Sequence, residues 1–345
     1  MKRAWIPAAL MAAVGAVAVW IVYSWVHGLW QAEVTALRET HQAAWDQWRA
    51  VAGDPPAVRP TPPPAPQPAS PSAPSPAIPP VKLPPREVWN NLIVEIPGTK
   101  VPNEVLILTA HFDAVPGTPG ADDDGTGTVA ILEIARVLQG FKPERTIRLV
   151  LFNLEEVGVL GSIHYVRSIK PALDAKQETI VGMVSLEMLG YFSDAPNSQR
   201  SPIPNIQGVF EAPTVGDFLA LTTTKKHAAF AQSFAAAMRR SEPSFKVFVV
   251  ADFIPDLPIT PRDLLRSDHA PFLFADQPGA MLTDTSNFRN PHYHKATDAP
   301  ETLDAERFAL GVRAIAGAAV GMSRVPAGEA KAPAAPDSAS PSHPR

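Results

Sequence analysis

One pattern repeats between Val88 and Val325. A short, β-branched apolar stretch is followed by a segment with helical spacing. The apolar stretches cover residues 91–96, 104–110, 146–152, 180–186, 246–250 and 280–283. Several are apolar almost throughout, as strands buried on both faces must be. Helical patterns run from Thr126, read as a cap, to Leu138, over residues 157–168, within 217–240, and over 303–324. In the last, Phe308, Val312, Ile315 and Ala319 share one stripe. Strands alternating with helices predict an α/β domain with three αβα layers around a mixed, mostly parallel central sheet. Such sheets bind ligands beyond the carboxyl ends of their strands. Three of the stretches end in metal-binding residue types: His111 after 104–110, Glu155 and Glu156 after 146–152, and Glu187 after 180–186.

The rest of the 345-residue chain reads differently. Lys2 and Arg3 precede an apolar run over residues 4–26, which as a helix would reach roughly 34 Å, enough to cross a bilayer core. Trp5, Tyr23 and Trp25 sit where interfacial aromatics belong. Residues 1–28 are therefore expected to be a transmembrane anchor, with the N-terminus cytoplasmic and the remainder periplasmic or extracytoplasmic. The competing reading is a secretion signal cleaved near Ala16-Val17-Ala18. Residues 29–54 read as a juxtamembrane helix. Within residues 29–52, Trp30, Val34, Leu37, His41, Trp45 and Trp48 form a stripe that offers a route to self-association. Residues 55–86 are a Pro-rich linker suited to polyproline II. Residues 87–325 are the expected catalytic domain, and 326–345 a disordered tail. Net charge is −4 with scattered basic residues, so no nucleic-acid partner is expected. The chain has no cysteine, so any zinc must be held by histidine and carboxylate, the usual choice of catalytic rather than structural sites.

Five motifs supply such ligands. In T-A-H-F-D, His111 and Asp113 are two apart, so in extended chain they share a side, and Asp113 can accept the second imidazole N–H of His111. G-A-D-D-D-G-T-G packs three acids into a turn entering a helix. One aspartate suffices for a cap, and three crowded together suggest a cation; spacing does not rank them, and the central Asp123 is taken as the bridging ligand. Glu155-Glu156 is a costly pair unless a cation is near. Glu187 closes a buried stretch, where an unpaired carboxylate is rare. N-P-H-Y-H offers His292 and His294 without distinguishing them. S-D-H-A-P-F, with His269, reads as support behind the ligands or a helix start.

These motifs, in this order, resemble the co-catalytic dizinc exopeptidase family, which includes bacterial leucine-type aminopeptidases, glutamate carboxypeptidase and glutaminyl cyclase. The resemblance covers essentially all of residues 88–325. It implies two Zn²⁺ ions, one held by His111 and Glu187, the other by Glu156 and His294, with Asp123 bridging. It also implies a cis peptide between Asp123 and Asp124. Glu155 would be the general base and acid, and Asp113 would assist through His111. His294 is preferred over His292 because it precedes Lys-Ala-Thr-Asp. The implied function is a zinc-dependent aminopeptidase acting on peptides through a metal-activated water. The alternatives are a glutaminyl cyclase-like or carboxypeptidase-like relative, or a non-catalytic binding domain. Two departures stand out. The Pro-rich linker occupies the place of the family's N-terminal flank. The tyrosine often found shortly before S-D-H is replaced by Asp263-Leu264-Leu265-Arg266, leaving Arg266 or Tyr293 as oxyanion donor. Met188, Phe288 and Tyr293 are the expected lining of a substrate pocket.

Overall fold

The computed structural model describes residues 89–205, 210–257 and 260–325. They form a seven-stranded sheet in the order β1-β3-β2-β4-β7-β5-β6. The strands are β1 (Leu92–Ile96), β2 (Val101–His111), β3 (Arg145–Phe152), β4 (Thr179–Glu187), β5 (Leu219–Thr222), β6 (Val247–Val249) and β7 (Gly279–Thr283). Strands β3, β2, β4 and β7 run parallel. β1 and β5 each join them antiparallel, and β6 follows β5 in parallel. The sheet is thus mixed and mostly parallel, as the alternation of patterns predicts.

Alternation along the central strands sends side chains to two cores. Leu106, Leu108, Ile147, Leu149, Val184 and Leu186 face one side, against α1 (Gly125–Val137), α3 (Ala228–Ser241) and α5 (Ala305–Met322). Val105, Ile107, Val150, Phe152 and Met183 face the other, where α2 (Leu160–Asp174) contributes Tyr165 and Val166, and α4 (Ala270–Phe274) contributes Phe272. Burial on both faces explains the continuous apolar runs, and the result is the three-layer αβα arrangement.

Strand β5 was not foreseen by the sequence reading, which placed a helix within residues 217–240 and no strand there. Leu219-Ala220-Leu221-Thr222 is a fully buried strand, and the helix runs from Ala228 to Ser241. A run of four residues is too short to show a period, so its burial between β7 and β6 decides its conformation. Helix α1 is capped by Asp124, which accepts the Gly127 N–H, and not by Thr126.

The expectation of a single-pass membrane protein is corrected. No helix among the described residues is long and apolar enough to cross a membrane. The stretches on which the anchor (1–28), the juxtamembrane helix (29–54), the linker (55–86) and the tail (326–345) were placed lie outside the described residues. Membrane attachment and the topology built on it are withdrawn.

The loop after β3 meets α2 at Gly161. Asn91 donates to the Gly161 carbonyl and accepts the Asn153 N–H, tying the start of β1 to this junction. A Cβ on Gly161 would lie 2.2 Å from the Asn153 carbonyl oxygen, a backbone atom that cannot step aside. Gly161→Ala is expected to lower unfolding free energy by about 1–3 kcal/mol, the usual range for overpacking, measured by chemical denaturation.

Candidate metal centre

The carboxyl ends of β2, β3 and β4 bring His111, Glu155, Glu156 and Glu187 to one edge of the sheet. The turn before α1 adds Asp123, and the segment after β7 adds His294. Asp123 sits between the two imidazoles. Its Oδ1 is 3.2 Å from His111 Nε2, and its Oδ2 is 3.1 Å from His294 Nε2. His111 Nε2 is also 3.7 Å from Glu187 Oε1 and 4.0 Å from Glu155 Oε2. His294 Nε2 is 3.4 Å from Glu156 Oε2. His111 Nε2 and Asp123 Oδ2 are buried with no hydrogen-bond partner, which is rare for native polar atoms and marks a place for a ligand.

Hydrogen bonding separates the three adjacent aspartates. Asp122 accepts from Gly190 N and the Thr126 hydroxyl on one oxygen and from Asn290 Nδ2 on the other. Asp124 accepts from His111 N on one oxygen and from Gly127 N and Met188 N on the other. Two groupings could hold an ion: His111 with Asp124 and Glu187, and His111 with Asp123 and Glu156, their ligand atoms all within 4.8 Å. Asp124 is the weaker ligand, because three backbone N–H groups already occupy both of its oxygens. Asp123 alone has carboxylate to spare. The peptide between Asp123 and Asp124 is cis.

The same reasoning separates the two histidines. His292 Nδ1 lies 2.9 Å from the Thr297 hydroxyl, away from the acidic cluster. His294 has φ 57° and stacks on Tyr293, with ring centroids 3.7 Å apart.

Asp113 does more than its spacing suggests. His111 Nδ1 is 3.0 Å from the Asp113 carbonyl and 3.5 Å from its carboxylate, which helps hold the imidazole's pKa up. The same carboxylate also accepts the backbone N–H groups of Glu155 and Glu156, at 3.1 and 3.2 Å. It therefore fixes the loop that presents both glutamates. Among the residues not picked out as site members, Ser267 donates to Glu187 Oε2 at 2.6 Å, and Asp298 accepts from the backbone of Asp122 and Asp123. S-D-H and K-A-T-D were the signals for these. His269 is fully buried against the Leu264 carbonyl, away from the metal ligands.

The charges conflict in the absence of a cation. Burial, with Glu187, Asp268 and Glu156 nearby, pushes the Glu155 carboxyl well above its usual range against the pull of His111. Burial and Asp123 push Glu156 up to about 7. Burial favours the neutral form of Asp123 too, but the two imidazoles beside it outweigh this and take it down to about 2. Burial opposes the charge on His111, yet Glu155 and Glu187 hold its pKa well above the ordinary value. Two imidazoles among buried carboxylates form an oxygen- and nitrogen-donor set that fits zinc.

Beside this centre lies a cleft of about 80 Å³, lined by Phe210, Phe218, Phe248, Met281 and Phe288, with Arg266 and Arg200 among its polar residues. Arg266 lies 5.9 Å over the Tyr293 ring and donates to Asn287. Met188 does not line this cleft. It is fully buried, and its backbone N–H anchors Asp124.

The sequence model of peptidase family M28 matches residues 91–318. The chain belongs to peptidase family M28. Among its relatives is YfbL of Escherichia coli K12, an uncharacterized protein, 30% identical over 214 residues, or 59% of this chain and 63% of YfbL. Aminopeptidase YwaD of Bacillus subtilis is 49% identical over 63 residues, 18% of this chain and 14% of YwaD. The chain thus spans less than two thirds of either relative. In structure it is similar to BSAP, a zinc aminopeptidase from Bacillus subtilis, with TM-score 0.50 and 25% identity over 68% of this chain and 50% of BSAP. The LapA aminopeptidase of Legionella pneumophila shares the fold, with TM-score 0.51 and 23% identity over 68% of this chain and 56% of LapA. The M28 match and the donor set agree on a dizinc site.

The two neighbouring aspartates make opposite predictions. Asp124→Asn turns an amide NH₂ toward backbone donors and should destabilise the metal-free protein by about 1–3 kcal/mol. Asp123→Asn removes a buried charge without breaking a backbone bond, so metal-free stability should hold while zinc content falls. Denaturation curves and metal analysis on both variants check this.

Proposed function

We propose that the chain is a zinc-dependent aminopeptidase, hydrolysing N-terminal residues from peptides with Glu155 as general base. The position of Asp123 between His111 and His294 carries this reading, because one carboxylate facing two imidazoles is what a bridging ligand must be. His111 and Glu187 would complete one zinc site, and Glu156 and His294 the other, with residues 87–325 as the catalytic unit. Bound zinc would supply Lewis-acid polarisation of the scissile carbonyl and a lowered pKa for the attacking water.

The chain's own residues do the rest. Glu155 is buried at the cluster's edge, its backbone held by Asp113, placing a carboxylate where it can take a proton from water and return it to the leaving amine. A free substrate ammonium would find a strongly anionic surround. The Phe-lined cleft would take an apolar side chain. Tyr293, stacked on His294, would donate its hydroxyl to the developing oxyanion. Burial and the carboxylates of Asp123, Glu187 and Glu155 push its pKa up, so the donor proton is retained. Arg200 and Arg266 at the cleft favour a carboxypeptidase-like enzyme as the second reading, since guanidinium groups suit a substrate carboxylate.

Glu155→Gln should keep both zinc ions and lose 10²–10⁴-fold in kcat, roughly the span of general acid–base catalysis. Peptides with a free amine should be cleaved and N-blocked ones spared; cleavage of N-blocked peptides that requires a free C-terminal carboxylate establishes the second reading. Parent protein that holds zinc but cleaves neither class would defeat both. Tyr293→Phe should lower kcat by about 10²-fold with KM little changed, as loss of one oxyanion donor does.

A further inference from the structure

We infer that β1 is a docking edge for a second copy of this chain, the two β1 strands pairing antiparallel across a twofold axis at Val94. Among the described residues β1 is the outer strand of the sheet, hydrogen-bonded to β3 on one side only. Edge strands are normally blunted by proline, lysine, a bulge or brevity. β6, at the opposite edge, has three residues. β1 reads Leu-Ile-Val-Glu-Ile and carries none of these devices. Leu92, Ile93 and Val94 are 54%, 51% and 51% exposed, so apolar surface lies open on both faces of the strand.

A twofold at Val94 pairs all five residues of β1 with β1 of the other copy. Leu92 then faces Ile96, Ile93 faces Glu95, and Val94 faces itself. Register with β3 places Leu92, Val94 and Ile96 opposite Leu151, Leu149 and Ile147, on the side of the sheet covered by α1. That row is apolar from end to end and is its own complement, which a closed twofold contact demands. On the other face Glu95 is tied to Arg148 at 2.6 Å, and the two copies of Glu95 do not face each other, so no like charges oppose.

The competing occupant is the chain's own sequence before β1. That stretch contains Pro79, Pro80, Pro84 and Pro85. Proline has no N–H to give to a ladder, so residues 79–85 are poor edge partners, and pairing by earlier residues is an outcome that the exchange measurement below reads.

The test is sedimentation of the full-length chain at micromolar concentration. The wild type should run as a dimer, and Val94→Lys, which sets two ammonium groups against each other at the axis, should halve the mass while leaving zinc content unchanged. The chain has no cysteine, so an introduced one reports cleanly. Facing Cα atoms in an antiparallel pair lie about 4.5–5.5 Å apart, within disulfide reach. Val94→Cys should therefore oxidise to a covalent dimer, and Arg240→Cys, on the exposed end of α3, should not. A monomeric wild type, a dimer indifferent to Val94→Lys, or no cross-link from Val94→Cys overturns the proposal. Slow hydrogen exchange, in a monomer, at the β1 amides that do not bond β3 also overturns it and assigns the edge to the chain's own residues. Should Val94→Lys fail to fold, the Val94→Cys cross-link decides.

Discussion

Carboxylates taken out of water must be answered by positive charge or by hydrogen-bond donors, and the centre of this molecule is organised around that requirement. Asp122, Asp123 and Asp124 are all buried within one turn. Backbone N–H groups from His111, Gly127, Met188 and Gly190 answer the outer two, with help from Thr126 and Asn290. These donors come from β2, α1 and the loop after β4, so the same bonds that neutralise the acids dock those elements together. Asp123 is left with its carboxylate toward two imidazoles, and its charge is answered only there. Two acids act as structural fasteners so that the third can be held ready for metal.

The layout of the site follows from the layout of the sheet. Parallel strands put their carboxyl ends on one edge, and β2, β3 and β4 are adjacent. Residues that end them in sequence therefore meet in space, although His111 and Glu187 are far apart along the chain. This is why candidate donors could be picked out before any geometry: each strand announced itself by continuous apolar character, and a ligand type stands at its last residue (His111, Glu187) or a few residues beyond it (Glu155, Glu156). The same logic explains what was not legible. β5 is too short to show a period, whereas β6 falls inside the stretch 246–250 read as a strand. The place of β5 in the sheet comes from tertiary pairing.

Side-chain partners were harder to foresee than ligand types. Two residues apart in extended chain, His111 and Asp113 share a side, and the spacing suggested a carboxylate–imidazole pair. In the fold that pair is present at 3.5 Å, but the Asp113 carbonyl lies closer to the imidazole, and the carboxylate also holds the Glu155 and Glu156 amides of the β3 loop. Spacing gives the side on which a group lies but not the competing donors it meets. Met188 shows the reverse case: an apolar residue beside a ligand suggested a pocket wall, yet its backbone N–H is the group that matters.

The loops that present the site are also where the backbone is least relaxed. Leu154 and Val159 after β3, Met188 after β4, Thr285 and Ser286 after β7, and His294 itself all have positive φ without being glycine. Such conformations cost of order 1–3 kcal/mol each and persist only where the surroundings fix them. For β-branched Val159 and Thr285 the conformation is a genuine outlier. The fixing contacts are visible: Leu160 N and Val159 N bond back into the β3 loop, Met188 N is held by Asp124, and the Thr285 and Ser286 amides are held by Thr283 and Asp284. Relaxing any of these turns would swing a ligand out of the cluster. The buried hydrogen bonds around the acids therefore balance two costs at once, the desolvated charge and the strained backbone, and the ligand geometry is where both are met.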